Sequence, residues 1–102
     1  MVTIDIAQLV QLLKVKIPSE ALVKVDVSPH ENGGVHLTVD GAACANNIAV
    51  WPNGYCDIEY VSTSTGECRV SHHEFTSLSQ AATQVLAELH DAIQRSGTAH
   101  GV

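Results

Sequence analysis

The residues of this chain that could support chemistry lie mainly in its second half. Asp57 and Glu59 stand two apart in an alternating segment, and His72, His73 and Glu74 follow after a turn. A histidine beside a carboxylate can act as a general acid/base pair, provided that a pocket orients the substrate and perturbs pKa values. The sequence has no G-x-S-x-G motif and no phosphate-binding glycine loop. We therefore expect a non-enzymatic role and keep catalysis as an alternative.

The three cysteines, Cys44, Cys56 and Cys68, recur at a regular spacing. Structural zinc sites prefer tight C-x-x-C pairs, and adjacent histidines on a strand point to opposite faces. We therefore expect no metal site and no cofactor, with Cys56 and Cys68 as buried free thiols. An odd cysteine count and a first segment without a cationic region favour a reduced, cytoplasmic protein.

The overall charge limits the classes of partner. Five basic residues face eleven acidic ones among 102, which gives a formal charge of −6. Direct binding to nucleic acid is disfavoured because it needs clustered Lys and Arg. An acidic surface suits a basic protein partner. No apolar run approaches the roughly 20 residues of a membrane-spanning helix, so we expect no membrane association.

Hydrophobic periodicity predicts one α+β domain over 1–102. The pattern indicates an N-terminal helix, an antiparallel β-meander of four to five strands and a C-terminal helix, with both helices packed on one face of the sheet. The predicted helices are capped by Asp5 and Ser77. The predicted elements are a helix over 5–16, strands over 21–28, 35–40, 44–51, 55–61 and 68–73, and a helix over 78–95, followed by a frayed tail over 95–102.

The hairpin in the centre of the chain orients most of the candidate residues. Pro52-Asn53-Gly54 predicts a type I turn followed by a left-handed glycine, which is a three-residue hairpin loop with a bulge. Alternation then places one set of side chains inward as core: Ile48, Val50, Cys56, Ile58 and Tyr60. The open face receives Trp51, Tyr55, Asp57 and Glu59.

The second turn can be interpreted in the same way. If Ser64-Thr65-Gly66 forms another three-residue loop, Glu59 lies opposite Ser71 and Asp57 opposite His73. The open face then gains Arg69, Ser71 and His73, and the core face receives Cys68, Val70 and His72.

An open face that carries the only tryptophan of the chain is typical of an interface. Tryptophan and tyrosine are frequent anchors, and carboxylates add charge complementarity. The simpler alternative is that Trp51 packs locally on Pro52. The predicted binding residues are Trp51, Tyr55, Asp57, Glu59, Arg69 and His73. Two rival functions remain open: an enzyme that uses His73 with Asp57 or Glu59, and a module that forms homodimers through the open face.

The segment IAVWPNGYCDIEYVSTSTGECRVSHHEF, residues 48–75, resembles the signature of the TriTu family of bacterial immunity proteins. The signature comprises an apolar strand that ends in tryptophan, a glycine turn, Asp-hydrophobic-Glu, a Gly-Glu turn and a strand that ends in histidine and an acidic residue. The matching positions are Trp51, Gly54, Asp57, Ile58, Glu59, Gly66, Glu67, His72, His73 and Glu74. A leucine-rich helix closes such chains, as 78–95 does here.

The resemblance implies a function and a partner. Such proteins bind and block the C-terminal domain of a toxin that is secreted or delivered by contact, as in contact-dependent growth inhibition. For this family the resemblance implies toxins that cleave RNA, with tRNA among the targets, and elongation factor Tu as a further candidate partner. This implied function agrees with the acidic and aromatic face that was inferred from the residues alone.

Overall fold

The computed structural model describes residues 3–19, 24–41 and 44–98, with side chains up to position 95. The chain follows the predicted α+β order, and a short 3-10 turn at Glu31–Gly33 joins the first two strands. The elements are α1 (Ile6–Lys16), β1 (Val25–Pro29), β2 (Val35–Asp40), β3 (Cys44–Val50), β4 (Tyr55–Ser62), β5 (Cys68–Glu74) and α2 (Leu78–Thr98).

Both helices begin at the predicted caps. Asp5 Oδ1 accepts a hydrogen bond from the Gln8 N–H at 3.1 Å, and Ser77 Oγ accepts one from the Gln80 N–H at 3.1 Å. The Gln80 side chain reaches back to accept the Thr76 N–H at 2.7 Å. The contacts of Asp5 and Ser77 satisfy amide groups that the first turn of a helix leaves without partners.

Helix α2 extends beyond its predicted end. The helix continues to Thr98. The prediction of a frayed tail is therefore wrong for residues 95–98. Residues 99–102 lie outside the described part of the chain, as does Val23 of the predicted first strand.

The five strands form one antiparallel sheet in the order β1-β2-β3-β4-β5, which confirms the predicted meander. In β2 the alternation is as expected: Val35, Leu37 and Val39 are buried, whereas His36 and Thr38 on the other face are partly exposed. Short turns between consecutive strands permit only antiparallel pairing, which explains the topology.

The hydrophobic core occupies one face of this sheet. Leu9 and Leu13 of α1, together with Val85 and Leu89 of α2, pack in one cluster with the inward residues of the strands. The inward strand residues of that cluster are Val35, Leu37, Val39, Ile48, Val50 and Cys56. Both helices therefore cover the same face, and the described helices leave the opposite face open.

A polar contact fastens the end of α2 to the sheet. Asn46 is buried on the helix side of β3 and donates from Nδ2 to the Val39 carbonyl at 3.1 Å. Its Oδ1 accepts a hydrogen bond from Arg95 Nη2 at 2.8 Å. The Arg95 guanidinium also lies 4.9 Å from the ring centroid of Tyr60, with Arg69 at 4.9 Å as well. The buried amide is thus fully used, which removes the cost of burying it.

The pairing of β5 differs from the prediction by one residue. Asp57 lies opposite His72, Glu59 opposite Val70, and Val61 opposite Cys68. The cause is the length of the second turn, because Ser62 pairs with Glu67 and leaves a four-residue loop over 63–66. The buried Ser62 hydroxyl accepts the Thr65 N–H at 3.3 Å, which stabilises this longer loop.

A shift of one residue exchanges the two faces of a strand. The predicted open-face positions of Arg69, Ser71 and His73 are therefore wrong, because these residues lie on the helix side. The predicted core positions of three other residues, Cys68, Val70 and His72, are wrong for the same reason. Val70 is 56% exposed and Cys68 is exposed.

Candidate binding site on the open face of the sheet

The first hairpin adopts the predicted loop. Gly54 has φ +93° and donates its N–H to the Trp51 carbonyl at 3.0 Å, and the Trp51 N–H donates to Tyr55 at 2.9 Å. The left-handed conformation at position 54 suits glycine because it has no Cβ. The three-residue loop therefore places Trp51 and Tyr55 side by side on the open face, as predicted.

Backbone contacts from both sides hold the tip of this hairpin. The Pro52 carbonyl accepts the Ile4 N–H at 2.7 Å, and the Gly54 carbonyl accepts the Phe75 N–H at 2.7 Å. Ile4 and Phe75 are themselves buried in the core. The loop is thus tied to the segments that precede α1 and follow β5, and the residues beside it start from a fixed backbone.

Trp51 lies across the end of the sheet. A Cβ at Gly34 would come within 2.9 Å of Trp51 Cδ1, so the indole occupies the space that a side chain at position 34 would need. The indole centroid is 5.2 Å from the imidazole of His30. Trp51 is partly exposed, and Tyr55 beside it is 52% exposed. The alternative of local packing on Pro52 does not describe these contacts, since Gly34 and His30 come from the β1–β2 connection.

Acidic residues and histidines surround this aromatic pair. Tyr55 lies opposite Glu74, and Asp57 lies opposite His72, with Nδ1 of the histidine 2.5 Å from Oδ1 of the carboxylate. The two side chains are 73% and 48% exposed, so water screens the pair and its contribution to stability is under about 1 kcal/mol. Both groups remain accessible to a ligand.

A second polar row follows along the sheet. Glu59 accepts a hydrogen bond from Asn47 Nδ2 at 3.4 Å, and Asn47 Oδ1 accepts one from the Thr38 hydroxyl at 3.5 Å. The row ends at the exposed Val70, opposite Glu59 on β5. The open face is therefore polar in its middle and aromatic at the hairpin end.

An open cavity of about 850 Å³ lies at the aromatic end of this face. Its wall includes both aromatic residues and three acidic residues that come from three different segments, the 3-10 turn, β4 and β5. The lining residues are Glu31, Asn32, Trp51, Pro52, Asn53, Tyr55, Asp57, His72, His73 and Glu74. We call this concavity, with these residues, the acidic-aromatic cavity.

Some of the predicted binding residues line the cavity and others lie outside it. Trp51, Tyr55 and Asp57 line it, and Glu59 lies one row further along the same face. Arg69 is on the helix side of β5, where it lies over Tyr60 and 3.7 Å from Glu67. His73 borders the cavity at the sheet edge, but its ring stacks on Phe75 at 6.3 Å and its Nε2 lies 3.3 Å from the Ser71 hydroxyl.

Glu31, His72 and Glu74 line the cavity but were absent from the predicted binding residues. One sequence signal points to the two on β5. Phe75 is the only phenylalanine, and burying it on the helix side fixes the facing of every second residue before it. That rule places His73 inward and His72 and Glu74 outward, as the structure has them. Glu31 comes from the β1–β2 connection, and strand alternation does not predict its position.

The cysteines are free thiols, but they do not share one environment. Cys44 and Cys56 are buried, whereas Cys68 is exposed on the open face, so the prediction of burial is wrong for Cys68. Burial, together with the nearby Asp57 and Glu88 carboxylates, raises the pKa of the Cys56 thiol to about 12. Cys56 is therefore protonated and chemically quiet at neutral pH.

The residues of the acidic-aromatic cavity are suited to bind a cation. Tryptophan and tyrosine rings attract ammonium and guanidinium groups, and the carboxylates of Glu31, Asp57 and Glu74 provide opposite charge. Among the described residues, no group of three or more His, Cys, Asp and Glu side chains is arranged to hold a metal ion. An ammonium or guanidinium group is the kind of ligand that this chemistry favours.

The described part of the chain has no helix long and apolar enough to cross a bilayer. Comparisons with protein-family models, curated proteins and solved structures found no match for this chain. The TriTu resemblance therefore stays a prediction, and the fold and the cavity are the basis for a function.

Proposed function

We propose that this chain is an immunity protein that binds the cognate domain of a secreted or contact-delivered toxin in the cytoplasm and blocks it by occlusion. The observation that carries the proposal is the acidic-aromatic cavity on a sheet face that the described helices leave uncovered. The toxin is a basic protein that cleaves RNA, as the resemblance implies. Elongation factor Tu is a further candidate partner on the same ground.

A lysine or arginine of the toxin enters the cavity. Its cationic group lies against Trp51 or Tyr55, and Asp57 or Glu74 accepts its hydrogen bonds. RNA-cleaving enzymes hold phosphates with such basic residues, so a carboxylate that pairs with one also competes with the substrate. Occlusion of this kind needs no catalytic group on the inhibitor.

The formal charge of −6 supports this proposal at longer range. An acidic inhibitor and a basic toxin attract each other before contact, which raises the association rate more than the final affinity. The fixed hairpin tip supports it at short range, because a site that is already ordered loses little conformational freedom on binding.

The proposal predicts that a gene beside the one for this chain encodes a large secreted protein, and the C-terminal domain of that protein provides the test. That domain is produced with the immunity protein, and binding is measured by calorimetry and protection by the growth of cells that express the toxin. We expect Asp57→Asn and Glu74→Gln each to weaken binding by about tenfold, which corresponds to about 1.4 kcal/mol. Protection should fall in the same order.

The matched control is Asp91→Asn, which removes one carboxylate from the exposed side of α2. It should bind and protect as the parent protein does. Equal losses for Asp57→Asn and Asp91→Asn would mean that net charge alone matters and that the cavity is not the contact site. If the neighbouring gene product does not bind at all, the immunity function itself fails.

The contact between His72 and Asp57 favours one second candidate, a small acid/base enzyme. The pair borders the cavity, so a bound substrate would reach it. The rival predicted from sequence used His73 with Asp57 or Glu59, and the structure brings His72 to Asp57 instead. His72→Gln separates the two functions. If the chain is an inhibitor, the His72→Gln variant still protects cells when its amount equals that of the toxin. If the chain is an enzyme, the same variant loses its catalytic turnover.

A further inference from the structure

Strand β5 is an edge of the sheet with little cover. Six of its seven residues are exposed, and His73 is the partly buried one. The strand contains neither proline nor lysine, the residues that usually prevent an edge strand from pairing with another chain. The Arg69 guanidinium lies over the ring of Tyr60 on the neighbouring strand, so it does not cover the free edge of β5.

The free backbone groups of this edge can be assigned. The Ser62 N–H donates to the Glu67 carbonyl, and the Phe75 N–H donates to Gly54. In an antiparallel ladder such hydrogen-bonded pairs occur at every second residue. Arg69, Ser71 and His73 therefore bond towards β4. The N–H and C=O groups directed outward belong to Cys68, Val70, His72 and Glu74.

The opposite edge of the sheet is protected. The His30 N–H donates to the Gly34 carbonyl, so in β1 the outward positions are Val25, Val27 and Pro29. Proline has no N–H, and β1 is two residues shorter than β5. The capacity to add a strand is thus concentrated at β5.

We infer that β5 pairs with β5 of a second copy of this chain and forms a continuous antiparallel sheet. The sequence is complementary to itself about Val70. When Val70 faces the same residue of the second copy, Cys68 faces His72, Arg69 faces Ser71 and Glu67 faces His73. No like charges are opposed, and two half-exposed valines cover each other.

The geometry of such a dimer has a consequence for the open face. A two-fold axis that relates two antiparallel edge strands runs perpendicular to the sheet, so both copies keep their helices on the same side. The two acidic-aromatic cavities then open on one surface of a ten-stranded sheet. This dimer differs from one formed through the open face, because it leaves Trp51 and Tyr55 free.

Sedimentation equilibrium tests the inference on the purified full chain. The parent protein should approach twice its monomer mass of 10.8 kDa as its concentration rises. Val70→Lys places two like charges face to face, and Val70→Pro removes an outward N–H without breaking the bonds to β4. Each should weaken self-association by at least about tenfold. Circular dichroism and the Trp51 emission should match those of the parent and verify the fold.

Val15→Lys is the matched control, since Val15 is 78% exposed on α1 and far from β5 in the chain. It should associate as the parent does. A parent protein that stays monomeric at the highest concentration overturns the inference. So does a Val70→Lys protein that dimerises like the parent, or a dimer that Trp51→Ala abolishes and Val70→Lys does not. Toxin binding is not required for any of these measurements, so the inference and the proposed function can fail separately.

Discussion

At the scale of single residues, Trp51 is neither a core residue nor a loose surface residue. Its indole lies over Gly34 and beside His30, on the face of the sheet opposite the hydrophobic core. The sequence predicted the face because Pro52-Asn53-Gly54 favours the three-residue loop that the hairpin adopts. It did not predict the contacts, because these come from a segment about twenty residues earlier whose turn brings it alongside.

Trp51→Ala should leave the protein folded and lower its free energy of unfolding by about 1 to 2 kcal/mol, since a partly exposed side chain is lost and no core cavity forms. Urea denaturation followed by circular dichroism measures this change. A core tryptophan would cost about 3 to 5 kcal/mol. A loss of that size, or an unfolded variant, would show that the indole supports the fold more than the binding face.

Cys56 predicts a specific dependence of stability on pH. The unfolded chain ionises this thiol near pH 9.0, whereas burial keeps it neutral in the folded chain up to about pH 12. The contribution of the neutral thiol is therefore fully present below pH 9 and is lost as pH rises towards 12. Urea unfolding at a series of pH values should show a steeper decline for the parent than for Cys56→Ala. Parallel declines would contradict the assigned environment of Cys56.

At the scale of elements, β5 shows why part of the candidate site could not be predicted. Strand β2 alternates between buried and more exposed residues along its length, and β3 does so from Cys44 to Ile48, so the facing of these strands is encoded in their own composition. In β5 nearly every residue is exposed, and its only large aliphatic residue, Val70, points outward. Two features outside β5 determine which of its side chains point to the helices: the length of the loop before the strand and the burial of Phe75 after it.

Deletion of Thr63 tests this explanation. A three-residue loop would move β5 by one position, but Phe75 is buried and bonded to Gly54, so the two ends of the strand would then demand different pairings. We expect a loss of about 2 kcal/mol or more in unfolding free energy and faster hydrogen exchange at the Arg69 and Ser71 amides. Thr63→Ala keeps the loop length and should change neither. A deletion variant as stable as the parent would mean that the loop does not set the register.

At the scale of the whole molecule, electrostatic attraction should govern how fast a basic partner arrives. The charge of −6 acts over a Debye length of about 8 Å at physiological salt and less at higher salt. Stopped-flow association with the proposed toxin partner, followed by Trp51 emission, should slow as salt rises, while the dissociation rate changes little. Association rates that are constant across salt concentrations would rule out steering by the acidic surface.

The one-sided packing of the sheet has an evolutionary consequence. Along β4, Cys56 and Ile58 face the helices while Tyr55, Asp57 and Glu59 face outward, so the two sets touch different surroundings. Substitutions in the outward set leave the core intact and cost little stability. A lineage under pressure from a changing partner can therefore explore new recognition surfaces residue by residue, on a scaffold whose interior never has to be redesigned.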